Sequence, residues 1–461
     1  MKFNLRTPAT FHRIFRRYSE CKISPGYVME RIEPRLLKIE SDDFRALFTP
    51  ELLKLRDLFA KRNYELRIAG GAVRDLLMNI RPADVDFAST ATPEQMKAMF
   101  EEEKIRMLHK RGEEHGTITC RIDEKENFEI TTLRIDILCD GRRAQVEYTT
   151  DWQLDANRRD LTINSLFLDL HGNVVDYFGG IADIEARRVA FVGDARQRIQ
   201  EDYLRILRYF RFFGRISNTP EHETDTIQAI IDNKDGMKGI SAERIWTELK
   251  KLVIGRMADD VIKTMIEQCG LQEYLGLPEK CNIARFHKVF QRYPKSVEPM
   301  TMIACLCEEI EQIDSFHSKT KLSTAERLLG EFILRERQAA VENLNNDDWW
   351  IDRVVDLEVR PGHESEVDRL RIRLVQLARS VLADEERIQM IEKFTPPKFP
   401  ITGRDLMESG VRKGPHVKNV LHYLYNLWKE SRFTETKESL MERANDSDIP
   451  DSSKKKMSPK R

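Results

Sequence analysis

Leu66-Arg67-Ile68-Ala69-Gly70-Gly71-Ala72-Val73-Arg74-Asp75, followed by Asp84-Val85-Asp86, is the stretch on which the reading of this chain turns. A short apolar run enters two glycines and then a helix start. Glycine lets a phosphate approach the backbone, and a helix N-terminus supplies N–H donors and positive potential. Gly70, Gly71 and Arg74 are therefore candidate phosphate binders, with Arg74 adding a charge-assisted donor. A Gly-Gly turn alone is more often simply a turn. Asp84 and Asp86 change that balance. Residues two apart on a strand face the same side, and Val85 and Phe87 alternate with them toward a core. Two carboxylates held together repel unless a cation sits between them. Hard oxygen ligands suit Mg²⁺, which keeps a few carboxylates plus substrate phosphates. Such a site can activate a hydroxyl and stabilise departing pyrophosphate. A solvated edge or turn is the bland alternative.

Outward from this stretch, strand-type sequence is confined to the first 200 residues or so. Candidate strands are Leu66–Ala69, Asp84–Ser89, Gly116–Ile122, Phe128–Asp136, Gln145–Thr149, Ser165–Leu170 and Asn173–Phe178. Thr49-Pro50-Glu51 starts one interspersed helix, with a cap residue, a first-turn proline and a first-turn acid. From about Asp194, apolar residues recur at three- and four-residue spacing, predicting helices over Ala195–Ile216, Glu221–Ile231, Ala242–Ile254, Asp259–Gln268, Ala325–Asn343, Glu364–Ala383 and Val417–Glu430. The expected fold class is α+β: a mixed-sheet head followed by an elongated all-helical neck, body and tail. No internal repeat is visible.

A Gly-rich turn, a helix and Asp-x-Asp on the next strand resemble the polymerase-β-like nucleotidyltransferases. In that superfamily a third acid often projects from a neighbouring strand. Glu129 is the candidate here, with Asp136 and Glu147 as rivals. Asp155-Ala-Asn-Arg158-Arg159-Asp160-Leu-Thr-Ile-Asn164 resembles the Arg-Arg-Asp motif of the class II CCA-adding enzymes. That resemblance places Arg159 on the nucleotide, with Asp160 and Asn164 near its sugar. Asp176-Tyr-Phe-Gly179-Gly180 looks like the family's head–neck hinge, although relatives often carry Asn at the Gly179 position. Glu201-Asp202-Tyr-Leu-Arg205-Ile-Leu-Arg208-Tyr-Phe-Arg211 is similar to its nucleobase-selecting helix, and Ser241-Ala-Glu243-Arg244 to the motif that braces that helix. The motifs fall in the family's order over roughly Leu66–Val253, closest in pattern to the animal mitochondrial and cytosolic members. The resemblance implies an enzyme that builds the 3′-terminal C-C-A of tRNA from CTP and ATP without a nucleic-acid template, using Mg²⁺. It also implies that the Arg134–Ala144 loop, centred on Asp140-Gly141-Arg142-Arg143, takes part in the switch to A. Further implied are a tRNA-binding role for the tail around Phe399–Asp405 and the following basic segment, and catalytic roles for Asp84, Asp86 and Glu129.

The base-selecting role has its own chemical argument. Cytosine and adenine both show an exocyclic amino donor beside a ring-nitrogen acceptor. A carboxylate accepts from the amino group, and a guanidinium donates to the ring nitrogen. Uracil and guanine present a carbonyl where the carboxylate needs a donor. Asp202 and Arg205, three apart and neighbours on one helix face, would admit C and A and reject U and G. An ordinary helix ion pair is the plain alternative. Arg208 and Arg211 continue around the helix toward the triphosphate, with solvated arginines as the alternative.

Composition narrows the rest. Lys plus Arg is 76 against 77 for Asp plus Glu, so affinity for RNA must come from local patches. The seven cysteines are scattered, and Cys305-Leu-Cys307 has the wrong spacing for a zinc ribbon or redox pair. The plain reading is a reduced compartment. No run of about 18 apolar residues offers a membrane span. Lys2, Arg6, Arg13, Arg16 and Arg17 precede the first acid, Glu20, interleaved with apolar residues, as in a mitochondrial presequence. Met29 could start a shorter cytosolic or nuclear form. The expected domains are a presequence at 1–28, a nucleotidyltransferase head at 29–180, a neck at 181–258, a body at 259–395, a tRNA-binding tail at 396–444 and a polar, basic end at 445–461. Monomer and homodimer are both open. A poly(A) polymerase of the same superfamily, or an RNA-binding adaptor without activity, are the rival readings. The intact Asp84–Asp86 pair argues against the adaptor.

Overall fold

A computed structural model of the 461-residue chain describes residues 30–108, 116–139, 144–358, 367–446 and 449. The presequence, the loop at 140–143 and most of the basic end lie outside the described residues. Among the described residues there are ten strands: β1 Arg35–Lys38, β2 Leu66–Ala69, β3 Asp86–Ser89, β4 Arg106–Leu108, β5 Thr117–Ile122, β6 Glu126–Thr132, β7 Arg134–Cys139, β8 Ala144–Tyr148, β9 Phe167–Asp169 and β10 Asn173–Asp176. Eight form one sheet in the order β1-β10-β9-β2-β3-β6-β5-β4, and β7 and β8 form a separate hairpin. Within the sheet only β3 and β6 run parallel, so it is mixed.

The expected strand Phe128–Asp136 is two strands. β6 ends at Thr132, Leu133 is fully buried, and β7 leaves in the second sheet. The break has a tertiary cause. The Leu133 N–H goes back to the Ser89 carbonyl (2.9 Å), while the next N–H, of Arg134, is taken by the Asp155 carboxylate (3.1 Å). β1 and β4 were not foreseen. Both are edge strands with little buried surface, so they carry no strong alternating pattern.

The helix at Thr49 forms as expected over Pro50–Lys61, with the Thr49 hydroxyl accepting from Leu52 N–H (3.1 Å). The expected helix Ala195–Ile216 is a correction. It is two helices, Ala195–Glu201 and Leu204–Ile216, separated at Asp202, whose backbone is extended (φ −155°, ψ 105°). The apolar spacing runs through the break unchanged. What interrupts the helix is Asp202 turning its carboxylate onto the Leu204 N–H (3.1 Å) and onto Arg244 (2.6 Å).

The chain divides into two compact units. One takes in residues up to Phe290 with Leu306–Thr324; the other is Gln291–Cys305 with residues from Ala325 onward. The first holds both sheets, the helices up to Phe290 and the helix Ile310–Thr320; the helix Pro299–Leu306 falls, but for its last residue, in the second. The second is helical, with Trp350, Leu374 and Ile388 fully buried and a further cluster of Val420, Leu424 and Trp428. Phe399 stands edge-on to Tyr425 and Trp428 there, so these two rings are core. No helix among the described residues is long and apolar enough to cross a membrane.

Candidate active site

The glycine turn is built as the sequence implies. β2 ends at Ala69, Gly70 takes φ +64°, and the helix Gly71–Leu77 follows. Gly70 is there for two reasons. Its φ is unfavourable to an L side chain, and a Cβ would stand 3.1 Å from Nη1 of Arg159. The glycine thus brings the turn against the Arg159 guanidinium.

Asp84 lies just before β3 and Asp86 is its first residue; Val85 is half-buried and Phe87 is core. The parallel pairing of β3 with β6 sets Asp86 directly opposite Glu129. Asp86 thus faces Glu129 at the start of β3, with Asp84 two residues before it. Their charges register on one another. Burial and then the Asp84 carboxylate push the Asp86 carboxyl above its usual range, with Arg159 opposing. Burial and then Asp86 do the same to Glu129. Among the described residues no three acidic, histidine or cysteine side chains close into a cage that could hold a metal ion. The set is an open one of hard oxygen donors, which fits an ion that keeps water and substrate phosphates as ligands. Of the rivals to Glu129, Glu147 lies on the separate hairpin, paired with Ile135; Asp136 is on the same hairpin.

The Arg-Arg-Asp segment forms the second wall. Asp155 is almost fully buried and was not singled out from sequence. Its carboxylate accepts from Arg158 Nε (2.8 Å), from Arg159 Nε and Nη2 (3.2 and 3.1 Å) and from the Arg134 N–H. Burial alone would raise its carboxyl, but the two guanidiniums and the N–H together hold it below the usual range. Arg159 also donates to the Asn164 carbonyl (3.2 Å) and lies over the Phe167 ring. Arg74 is not the free donor its first-turn position implied. It is buried, bonded to Asp75 (2.9 Å) and to Asn164 Oδ1 (2.6 Å), and covered by Phe212. Its guanidinium braces the site from behind.

The helix Leu204–Ile216 lies against this wall. Arg208 Nε donates to Asp160 (2.6 Å), and Asp160 also accepts from the Leu161 N–H (2.9 Å). Arg211 pairs with Glu248 of the helix Ala242–Leu252 (2.6 Å), and Arg208 approaches the same carboxylate (3.7 Å). Neither arginine is merely solvated. Glu248, buried and unremarked in the sequence, is the counter-charge that keeps two guanidiniums side by side. Arg205 donates to the carbonyls of Arg198 (3.0 Å) and Arg158 (2.8 Å) and to Glu201 (2.7 Å). Asp202 pairs with Arg244. These partners replace the Asp202–Arg205 ion pair that their spacing allows. The two side chains flank a helix start instead of sharing one helical face.

Residues 66–190 match the family described as Poly A polymerase head domain. Residues 222–279 match that described as Probable RNA and SrmB- binding site of polymerase A. The chain is 44% identical over 410 residues to "CCA tRNA nucleotidyltransferase 1, mitochondrial" of Danio rerio, covering 88% of this chain and 93% of that protein. The Homo sapiens protein of the same name is 43% identical over 411 residues, covering 88% and 92%. Among solved structures, the Bacillus stearothermophilus CCA-adding enzyme in complex with CTP superposes with a TM-score of 0.65 at 25% identity, over 88% of this chain and 98% of that one. The Thermotoga maritima CCA-adding enzyme complexed with tRNA gives a TM-score of 0.63 at 18% identity, over 90% and 99%, a likeness of fold.

Proposed function

The chain belongs to the CCA tRNA nucleotidyltransferase family, and from that premise we propose how its own residues carry the reaction. It is a template-independent nucleotidyltransferase that adds the 3′-terminal CCA of tRNA from CTP and ATP. The tRNA 3′-hydroxyl oxygen bonds to the α-phosphorus as the α–β phosphoanhydride opens and pyrophosphate leaves. The observation that supports the assignment of residues is Asp86 facing Glu129 across two central strands, at the start of β3 and next to Asp84, with Arg159 near Asp86. Asp84 and Asp86 would hold Mg²⁺, with Glu129 as the third acid. When bound there, the ion supplies positive charge to the reacting phosphate and to the leaving group.

Gly70 and Gly71 admit the triphosphate to the turn. Arg159 contacts the nucleotide, held in place by Asp155. Asp160 and Asn164 stand by the sugar, and Arg208 and Arg211 face the phosphates. Arg74 fixes Asn164. Asp202 and Arg205 select the base. The finer division into head, neck, body and tail, with tRNA gripped by 396–444, follows the same family logic. The enzyme acts in mitochondria, like the relatives it matches, and initiation at Met29 gives a second form outside them.

The test is single-turnover repair of tRNA lacking its 3′ end. Three additions, with CTP required first and synthesis stopping after A, is the expected result. An ATP-only tail that grows without limit would show a poly(A) polymerase.

A further inference from the structure

Tyr203 follows Asp202 in the break between the helices Ala195–Glu201 and Leu204–Ile216, and it opens the second of them. Its ring lies flat against the backbone of Gly236. A Cβ on that glycine would fall 2.0–2.3 Å from three ring carbons, far inside any real contact. Gly236 does not have a positive φ. What the position demands is space. The turn that carries it, Lys234–Gly239, is pinned from its other side. Asp235 accepts from the Tyr274 hydroxyl (2.8 Å), Lys234 donates to the Cys269 carbonyl (2.8 Å), and Met237 is buried. A side chain at 236 must therefore be accommodated by the tyrosine, because the turn has partners that resist its retreat.

The neighbouring helix is tied to the same support. Gln200 donates to Asn233 (2.8 Å), and Arg196 pairs with Asp232 (2.7 Å). Displacing Tyr203 leaves Glu201 anchored on one side and shifts the chain on the other. Asp202 lies between. Its carboxylate is aimed by the Leu204 N–H and Arg244. A shift of Tyr203 moves the Leu204 N–H directly.

We infer that Gly236 is a positioning residue for nucleobase selection: its bare backbone seats the Tyr203 ring, and that seat fixes the extended break in which Asp202 presents its carboxylate. The inference rests on the reading of Asp202 as a base-selecting residue. Gly236 packs against Tyr203 and is not among the residues assigned to the metal, sugar or phosphates, so it acts on which base is accepted more than on how fast an accepted base reacts.

The experiment is a double-mutant cycle on the full-length enzyme with Gly236→Ala, Tyr203→Ala and the pair, with Asp202→Ala alongside. Each is assayed for single-nucleotide addition with all four triphosphates, and thermal melts check folding. Gly236→Ala should raise KM for CTP, leave kcat for CTP within about twofold, and narrow the CTP-over-UTP preference by about tenfold, the scale of one base contact. Tyr203→Ala should relax selection similarly. In its background Gly236→Ala should have no further effect, because the collision is gone. Additive effects, or wild-type selectivity in a folded Gly236→Ala enzyme while Asp202→Ala relaxes selection, overturn the inference. If Gly236→Ala does not fold, Tyr203→Ala alone decides, and unaltered selectivity there overturns it too. Unaltered selectivity in Asp202→Ala instead removes the underlying assignment of that aspartate.

Discussion

Alternation with Val85 and Phe87 is what singles out Asp84 and Asp86 in the sequence, although β3 itself begins only at Asp86. Changing either to Asn should abolish incorporation of both C and A while the melting temperature stays within a few degrees. Neither belongs to the core, and removing a charge from a mutually repelling pair does not cost folding stability. Loss of charge at the reacting phosphate costs several kcal/mol of barrier, on the order expected for a Lewis acid. Near-normal Mg²⁺-dependent turnover in either variant would sink the assignment. Gly70 supports a second prediction. Ala there should cost about 1–2 kcal/mol of stability from its left-handed backbone. It should also weaken nucleotide binding, because its Cβ meets Arg159 at 3.1 Å. Denaturant midpoints and nucleotide titration read the two effects separately. Other residues were illegible for a specific reason. Asp155 sits inside the quoted motif, yet nothing local shows that its carboxylate receives the first N–H of β7 as well as two guanidiniums. Glu248 looks like any acid on an amphipathic helix until Arg208 and Arg211 are seen to converge on it.

Elements were legible where local chemistry fixes them and obscure where a distant partner does. The Thr49 cap, the Gly70 turn and β2 follow from local signals alone. The break at Asp202 does not, because the apolar stripe continues through it and its cause is Arg244, 42 residues on. The break sharpens the prediction for base selection. Asp202→Ala or Arg205→Ala should lose discrimination more than catalysis, since the acids of β3 and β6 are on other elements. UTP and GTP should become measurable substrates, a loss of roughly 1–3 kcal/mol for a bidentate base contact. Variants that still strongly exclude them would assign the two residues a purely structural part. The helix Leu204–Ile216 carries a further, pH-dependent prediction. His222 stacks on Phe213 (3.7 Å between centroids) and shares a hydrogen bond with the Tyr209 hydroxyl through Nδ1 (3.0 Å). Burial pulls its imidazole down to about 4. An unfolded histidine titrates near 6.5, so between these values the unfolded chain takes a proton that the folded one refuses. Stability is full above about pH 6.5, falls as pH drops toward 4, and is flat below. The fall should be about 1–2 kcal/mol, less than full linkage because part of the ring reaches water. Denaturation of wild type and His222→Gln between pH 7 and 4 measures it; parallel curves would show that His222 contributes nothing to the acid response.

At the scale of the whole molecule, a net charge of −1 hid a nucleic-acid enzyme, because its cations are spent locally on paired acids and a few faces. The N-terminus is where the organisation of the chain can be tested most directly. Among the described residues, the first contacts of the N-terminal segment are with the head: Gln153 donates to the Glu30 carbonyl (2.8 Å), Arg31 pairs with Asp151 (2.5 Å), and β1 covers the edge of β10. A chain started at Met29 keeps all three contacts. It should therefore match the full-length enzyme in three-nucleotide repair and in melting temperature. A chain started at Asp42 loses them and leaves β10 as an uncovered edge. Asp176 at the end of that strand holds the N–H groups of Gly180 and Ile181 (3.0 and 2.9 Å), so the damage should spread into the start of the helix Gly180–Glu185 and lower the melting temperature by several degrees, about what 1–2 kcal/mol costs a domain of this size. Residues 1–28 precede these contacts. Their arginines, apolar residues and single late acid are the composition of a presequence, so a reporter fused behind them should enter mitochondria, and the Met29 form should not. Cytosolic retention of that fusion would reduce the segment to a basic tail, and weakened repair by the Met29 form would make it part of the enzyme.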